Sequence, residues 1–491
     1  MSNGNKKDFS TDTKFLGHPM GVGTTSTMQA MTAFSGYGMS AILVYFLYAT
    51  LQEGGLGFEK GLAAQLTSIY TAMATIAGVV GAYVADRFLG LRKSLLIGWI
   101  LKTLGFFMLA IPNGGVTFYV ANQCLLIMAA AFAGQSLYAM VGKMYSPTET
   151  RRDGAFTIMY VMNNVGVISP MITGAFAARN LYYLGFGVSA VASLIGLIVY
   201  LFSQKHFGDT GILPDDPVLP ELKKKMLFKT FGTLISLMSI VVFLLAKGRL
   251  TPKTFVNFVS VLSIFAPFGY LLYIGTSKKT TPKEKKKIIP FAALFVCNCF
   301  TLMIWGQAVS ILLVFAEERV NNSLMGISFA PAAWITISSF FSILFGTLTG
   351  SIWTKLGNKQ PSTASKFGMG TIFYGLASMF MAVPIILYPG NVKIMGLWIL
   401  IFFIILIFGE SISSPIGLGF ATAVSPKAFT AQMVTVWQLG LSTGAGVASL
   451  SINFYTQGQE ATFFLASGLI TIIVGASLLL IRKPIMKIAA E

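Results

Sequence analysis

GAYVADRFLGLRK (81–93) ends one long apolar run in a burst of charge, and far downstream GSIWTKLGNKQ (350–360) ends another in the same way. Each places a glycine, a charged residue five positions on, and then a second glycine with basic residues. Charge that interrupts hydrocarbon-length apolar runs marks a short loop at a membrane surface, and its recurrence predicts a duplicated unit. Outward from these two loops, stretches long enough to cross a bilayer fall at about 27–51, 62–85, 94–112, 115–143, 155–178, 182–203, 227–246, 254–275, 288–316, 328–354, 367–388, 394–424, 429–455 and 461–481.

Composition agrees. Of 491 residues, 55% are hydrophobic and 11% charged, with a mean hydropathy of +0.74, more apolar than a domain with a solvated surface. The chain reads as an all-α polytopic membrane protein with 14 transmembrane helices. Its first ~25 residues are polar and lack an apolar signal core, so no cleavable signal peptide is expected. The net charge of +18 sits in short loops such as ELKKKM (221–226), SKKTTPKEKKK (277–287), TETRRD (148–153) and IRKPIMK (481–487). That is the positive-inside pattern of a cell membrane protein with both termini cytoplasmic, not a nucleic-acid footprint.

If the seventh and eighth spans are an inserted pair, the series resolves as six plus two plus six. The expected divisions are a cytoplasmic tail over 1–26, an N-terminal six-helix bundle over 27–204, a linker with two extra transmembrane helices over 205–287, a C-terminal six-helix bundle over 288–482 and a tail over 483–491. Two six-helix repeats are the pattern of the major facilitator fold, whose substrate site lies near the midplane between the halves. Fifty glycines suit helices that approach closely in lipid.

Within IFGESISSPIG (407–417), Glu410 has sixteen residues without formal charge on each side, out to Lys393 and Lys427. At about 1.5 Å per residue the nearest flanking charge is roughly 25 Å away. A carboxylate there must face a wet cavity, bind a cation or take up a proton. Two serines follow within a turn, and Pro415 frees a backbone carbonyl, as in an interrupted helix lining a cavity. Other polar side chains inside apolar runs are Tyr37, Tyr70, Gln135, Tyr138, Tyr160, Asn163, Asn164, Trp305, Gln307, Ser339 and Trp437. Together with one acid they outline a pocket for an amine-bearing ligand. Cys124, Cys297 and Cys299 lie inside apolar runs and His18 and His206 outside them, which indicates neither a metal site nor a disulfide framework. No paired acids, intramembrane histidine or serine with a neighbouring base supports an intramembrane enzyme.

In order and spacing, FSGYGMSAIL (34–43), GAYVADRFLG (81–90), TRRDGAFTIMYVMNNVGVISP (150–170), LVFAEERV (313–320), GNKQPSTASKFGMG (357–370) and GESISSPIG (409–417) resemble the proton-coupled oligopeptide transporters of the major facilitator superfamily. The resemblance covers almost the whole chain, including the extra helix pair of bacterial members. It implies a midplane cavity for di- and tripeptides. It assigns Glu410, on the tenth segment of the core twelve, and Asn164, on the fifth, to the peptide amino group. Tyr37 and Tyr70 become cavity walls, Gln307 the seventh-segment glutamine and Trp437 the eleventh-segment tryptophan. Trp305, Ser414 and Ser339 complete the candidate binding set, Glu410 is the candidate for proton coupling, and Gly81, Asp86 and Arg87 fall on the cytoplasmic gate motif. A monomer in the lipid bilayer without cofactor or metal is expected.

The chain also departs from the family. Its first-segment motif E-x-x-E-R-F-x-Y-Y-G reads QAMTAFSGYG (29–38), so Gln29 and Thr32 replace the glutamates, Ala33 the arginine and Gly36 a tyrosine. Gly134 stands where a fourth-segment lysine is usual, Gly306 where the seventh segment has an acid, Thr75 for a second-segment tyrosine and Ser339 for an eighth-segment asparagine. Stripping one member from a buried ionic network strands its partners, whereas losing all together is nearly neutral. The expectation is therefore a repurposed pocket: an alternating-access transporter of di- or tripeptides or related amine-bearing solutes, with proton coupling through Glu410 as one option. The alternatives are a proton-independent facilitator of a carboxylate-blocked or non-peptide solute, and a non-transporting peptide sensor.

Overall fold

The structure is a computed structural model describing residues 9, 12–133, 136–145, 151–214, 217–218, scattered positions between 221 and 244, 247–390 and 392–490. It is almost wholly helical, as hydrocarbon demands: backbone amides left unsatisfied there are costly, and a helix satisfies them within one segment. Eleven helices among the described residues are long and apolar enough to span a membrane. Leu91–Leu109 and the broken pair Thr430–Gln438 and Gly440–Ile452 occupy the expected third and thirteenth segments. Most of the expected seventh, 227–246, lies outside the described residues, as do Gly134 and Gln135.

By contact the chain forms two compact units, Met1–Met39 with Ala74–Val256 and Ser40–Met73 with Asn257–Glu491. This grouping cuts across the divisions expected from the apolar series. Residues 40–73, which hold the end of the first helix, α1 (Met20–Tyr48), and most of the second, α2 (Lys60–Val84), group with residues 257–491. In the loop between them Thr50 and Glu53 cap each other reciprocally, and the Thr50 hydroxyl and N–H hold the Glu53 carboxyl below the usual carboxylate range.

The first unit continues with α3 (Leu91–Leu109), α4 (Gly115–Ala133), α5 (Ser136–Gly142), α6 (Arg151–Gly166), α7 (Ser169–Ala177) and α8 (Tyr182–Phe202). Its core gathers Leu95, Trp99, Leu137, Met140, Met159, Tyr200 and Phe207. Asp86 and Arg87, expected to belong to a gate motif, lie where α2 widens into a π-turn over Ala85–Leu89 and stops at Gly90, whose φ of 78° suits glycine. Asp86 there is exposed and Arg87 half-buried.

The second unit holds α9 (Pro252–Thr276), α10 (Pro282–Ala308), α11 (Ile311–Arg319), α12 (Ala333–Leu356), α13 (Thr363–Leu387), α14 (Gly396–Ser413), α15 (Gly417–Ala423), α16 (Thr430–Gln438), α17 (Gly440–Ile452) and α18 (Glu460–Ala490). α10 packs against α13, α17 and α18, and α13 lies along both α14 and α18. Short strands β1 (Val320–Asn321) and β4 (Ile394–Met395) pair in parallel, and β2 (Ser323–Leu324) pairs antiparallel with β3 (Ile327–Ser328). Four buried hydrogen bonds join the 40–73 segment to the rest of this unit: Tyr45 Oη to Leu313 O (3.2 Å), Gln65 Nε2 to Ser449 O (3.0 Å), Ser68 Oγ to Ser310 Oγ (3.3 Å) and Ser442 Oγ to Ala72 O (3.1 Å). Lys60 and Glu318 add an ion pair at the segment's edge.

Candidate functional site

Glu410 owes its position to the residue before it. A Cβ at Gly409 would lie 2.7 Å from Phe373 Cβ and 2.9 Å from Gly370 O, so α14 meets α13 backbone to backbone at this turn. Ser413, one turn on, presses on Gly370 and donates to Gly409 O at 3.1 Å. With Gly409 and Ser413 fixed against α13, the helical period turns Glu410 and Ser414 onto another face. Glu410 is half-buried there and Ser414 exposed. Among the described residues the Glu410 carboxylate has neither a hydrogen-bond donor nor a cationic partner; the hydroxyl of Tyr374, on α13, is close enough to feel its charge.

The interruption expected from SSPIG is present. α14 ends at Ser413, a 3₁₀ turn covers Ser414–Ile416, and the helix resumes at Gly417. Pro415 has no N–H to offer the Ser411 carbonyl. The Thr349 hydroxyl of α12 sits between that oxygen (3.3 Å) and the Phe345 carbonyl of its own helix (2.7 Å).

The other candidates of the second unit have varied surroundings. Gln307 is buried, and its Nε2 donates to Ser451 Oγ (2.8 Å) and Ser467 Oγ (3.3 Å), which ties α10 to α17 and α18. Trp437 is buried in an aromatic cluster with Phe291, Phe295 and Phe367 at centroid distances of 5.8, 6.4 and 5.5 Å. Its indole also covers Gly417, where a Cβ would come within 2.2 Å, so it braces the restart of the interrupted helix. Tyr70, Trp305 and Ser339 are half-buried, the Ser339 hydroxyl bonding back to Thr336 O at 2.8 Å.

In the first unit, Tyr37 is half-buried and Asn164 buried, its Nδ2 donating to Tyr160 O at 3.0 Å. The neighbouring Asn163 accepts from Gln29 Nε2 at 2.9 Å. The unit also contains a group that none of the quoted motifs includes. Lys102 stands inside LLIGWILKTLGFFML (95–109), a lone cation in an apolar run, which is signal enough to find it in the sequence. Its Nζ reaches Thr32 O at 3.4 Å.

Residues 92–470 match the model of the POT family. The chain belongs to the POT family. It is 34% identical to the di-/tripeptide transporter of Lactococcus lactis subsp. cremoris over 500 aligned positions, covering all of both chains. It is 32% identical to the uncharacterized transporter YclF of Bacillus subtilis (strain 168), covering 97% of this chain and 96% of that one. Among solved structures it resembles a peptide transporter POT in complex with sulfate (TM-score 0.92, 32% identity, 96% of each chain). It also resembles a POT family transporter in complex with 5-aminolevulinic acid (TM-score 0.92, 27% identity, 98% of this chain and 100% of that one). The fold is thus that of the POT transporters, as the quoted motifs led one to expect.

The structure shows the surroundings of several positions at which the sequence reading expected departures from the family motifs. Gln29 is engaged with Asn163. Ala33 lies where a Cβ on Gly166 would come within 2.5 Å, so α6 packs directly over it. At Gly306 an added Cβ would press on Ala448 Cβ at 3.0 Å. At Gly36 there is open space: a Cβ there meets no atom within 4 Å.

Proposed function

We propose that the protein is a secondary transporter that takes up di- and tripeptides by alternating access, with Glu410 receiving the solute's ammonium group. One observation carries this reading: a lone carboxylate, far along an apolar helix and half accessible, has no cation or donor among the described residues. A charge left in that state needs a counter-ion, and an arriving amine supplies one. Membership of a family whose relatives are named as di-/tripeptide transporters supports the peptide as the source of that amine. Asn164, Tyr37, Tyr70, Gln307 and Trp437 are proposed to bind the solute as the resemblance implies, with Trp305, Ser414 and Ser339 beside them, and Gly81, Asp86 and Arg87 to form the gate. Placement in a bacterial cell membrane as a monomer with both termini cytoplasmic belongs to the same proposal. Proton coupling is assigned to Glu410, where taking up a proton releases a bound ammonium.

The test is uptake of labelled dialanine into liposomes carrying the purified protein, with and without an imposed pH gradient, for the wild type and Glu410→Gln. Saturable counterflow that the substitution abolishes or weakens by at least tenfold is expected, together with loss of any response to the gradient. Unchanged binding and flux in the variant would refute the assignment. A second reading, a proton-independent facilitator, is favoured by one feature: the family's first- and seventh-segment acids are Gln29, Thr32 and Gly306 here. It predicts wild-type counterflow that no pH gradient alters.

A further inference from the structure

We propose that the end of the second unit where α9 stops and α10 begins holds the headgroup of an anionic phospholipid. The proposal goes beyond the transport reading and is independent of which solute is carried. The stretch 277–287 contains six lysines, Lys278, Lys279, Lys283, Lys285, Lys286 and Lys287, and one acid, Glu284. That acid is engaged inside the fold. Its carboxylate accepts from Thr281 N (2.9 Å) and Thr281 Oγ1 (2.8 Å) as half of a reciprocal cap, and from Lys427 N at 3.0 Å. The last bond brings a further cation, on the turn Lys427–Phe429, to the start of α10. Among the described residues, none of the six ammonium groups of 277–287 makes an ion pair.

The cations stand on a fixed base. Thr280 is buried, its hydroxyl donating to Ile274 O at 2.7 Å and its N–H to Ser277 O at 3.2 Å, and the Lys279 N–H donates to Ser277 Oγ at 3.2 Å, so Lys278 and Lys279 project from a pinned turn. A site already ordered loses less conformational entropy on binding. Ile274, Phe291, Phe429 and Ile485 belong to one buried core, and Tyr273 meets Phe429 edge-on at 6.2 Å. The end of α9, the start of α10, the turn before α16 and the last turns of α18 thus share one end of the unit, where α18 adds exposed Arg482, Lys483 and Lys487. Apolar surface adjoins this charge. Ile289 on α10 is exposed, three and four residues beyond Lys286 and Lys285 and so on their face of the helix, and Leu480 on α18 is exposed three residues before Lys483. Leu272 is exposed six residues before Lys278. Topology alone asks for positive charge at the end of a span, but not for a pinned loop, nor for its one acid to be engaged by backbone N–H groups. Unpaired ammonium groups one turn above exposed hydrocarbon match a phosphate carried on acyl chains.

The experiment titrates the detergent-solubilised full chain with phosphatidylglycerol and with phosphatidylcholine of the same acyl chains, and reads bound lipid by native mass spectrometry. Each lysine near an anionic lipid surface corresponds to about fivefold in affinity. The wild type should therefore bind phosphatidylglycerol at least about tenfold more tightly, and added salt should shrink the preference. Lys278→Gln, Lys279→Gln, Lys285→Gln and Lys286→Gln combined should lower it by at least about tenfold. Lys14→Gln, Lys93→Gln, Lys143→Gln and Lys205→Gln combined, which remove as many exposed charges from the first unit, should leave it intact. Equal binding of the two lipids by the wild type overturns the proposal without any variant, as does displacement of phosphatidylglycerol by an equal concentration of glycerol phosphate, which would mean that the acyl chains contribute nothing. A preference undiminished in the first variant, or lowered equally in both, overturns it too, the latter because net charge and not this end of the unit would then attract the lipid.

Discussion

Replacing Gly409 by alanine tests whether the close contact of α14 with α13 is what aims Glu410. The new Cβ would start 2.7 Å from Phe373 Cβ and 2.9 Å from Gly370 O. Carbon atoms rest at about 3.5–4.0 Å, so α14 must retreat by roughly 1 Å at this turn. Overpacking of this kind costs about 1–3 kcal/mol. The same retreat carries Glu410 with it. Losing half of a charge-assisted hydrogen bond worth about 2 kcal/mol raises KM for dialanine about fivefold. N-acetyl-dialanine, which has no ammonium, should not share that loss. Gly419 provides the control, for it lies inside α15 and a Cβ there meets no atom within 4 Å. Alanine at 419 should be neutral or stabilise by about 0.5–1 kcal/mol. Thermal unfolding in detergent and uptake kinetics in liposomes give both readouts. Wild-type stability and KM in Gly409→Ala, or equal damage from the two substitutions, would refute the argument from packing.

Two further outcomes follow from the second unit. Gln307→Leu removes both donors from Nε2 and should lower the stability of the detergent-solubilised protein by about 1–3 kcal/mol in thermal unfolding; an unchanged transition would refute the bonds to Ser451 and Ser467. Lys60→Met breaks an ion pair whose side chains are 52% and 27% exposed, so it should cost under about 1 kcal/mol and its effect should vanish in high salt. A larger or salt-insensitive loss would mean that the pair, and not the buried hydrogen bonds of Tyr45, Gln65, Ser68 and Ser442, holds residues 40–73 in place.

Hydropathy made the spans legible, and the dense loop charges made their ends legible, because transfer from water to hydrocarbon dominates both. The break after Ser413 was equally plain, since Pro415 removes a backbone donor wherever it stands. Which face each helix buries was not. In lipid the outer face is as apolar as the packed one, so the pattern of small residues decides contact, and that pattern is read only in pairs such as Gly409 with Gly370. The sequence therefore did not show what Trp437 and Gln307 touch: the structure places one over Gly417 and engages the other with two serines. The same pairwise logic describes the positions at which the resemblance led one to expect charges. At Gly306 α17 packs with Ala448, at Ala33 α6 packs with Gly166, and Gln29 makes a neutral bond to Asn163. Contact or a neutral hydrogen bond fills each of these three positions, so none of them strands a buried charge. Gly36 leaves its position open, and the ammonium of Lys102 from α3 reaches the same turn at Thr32 O.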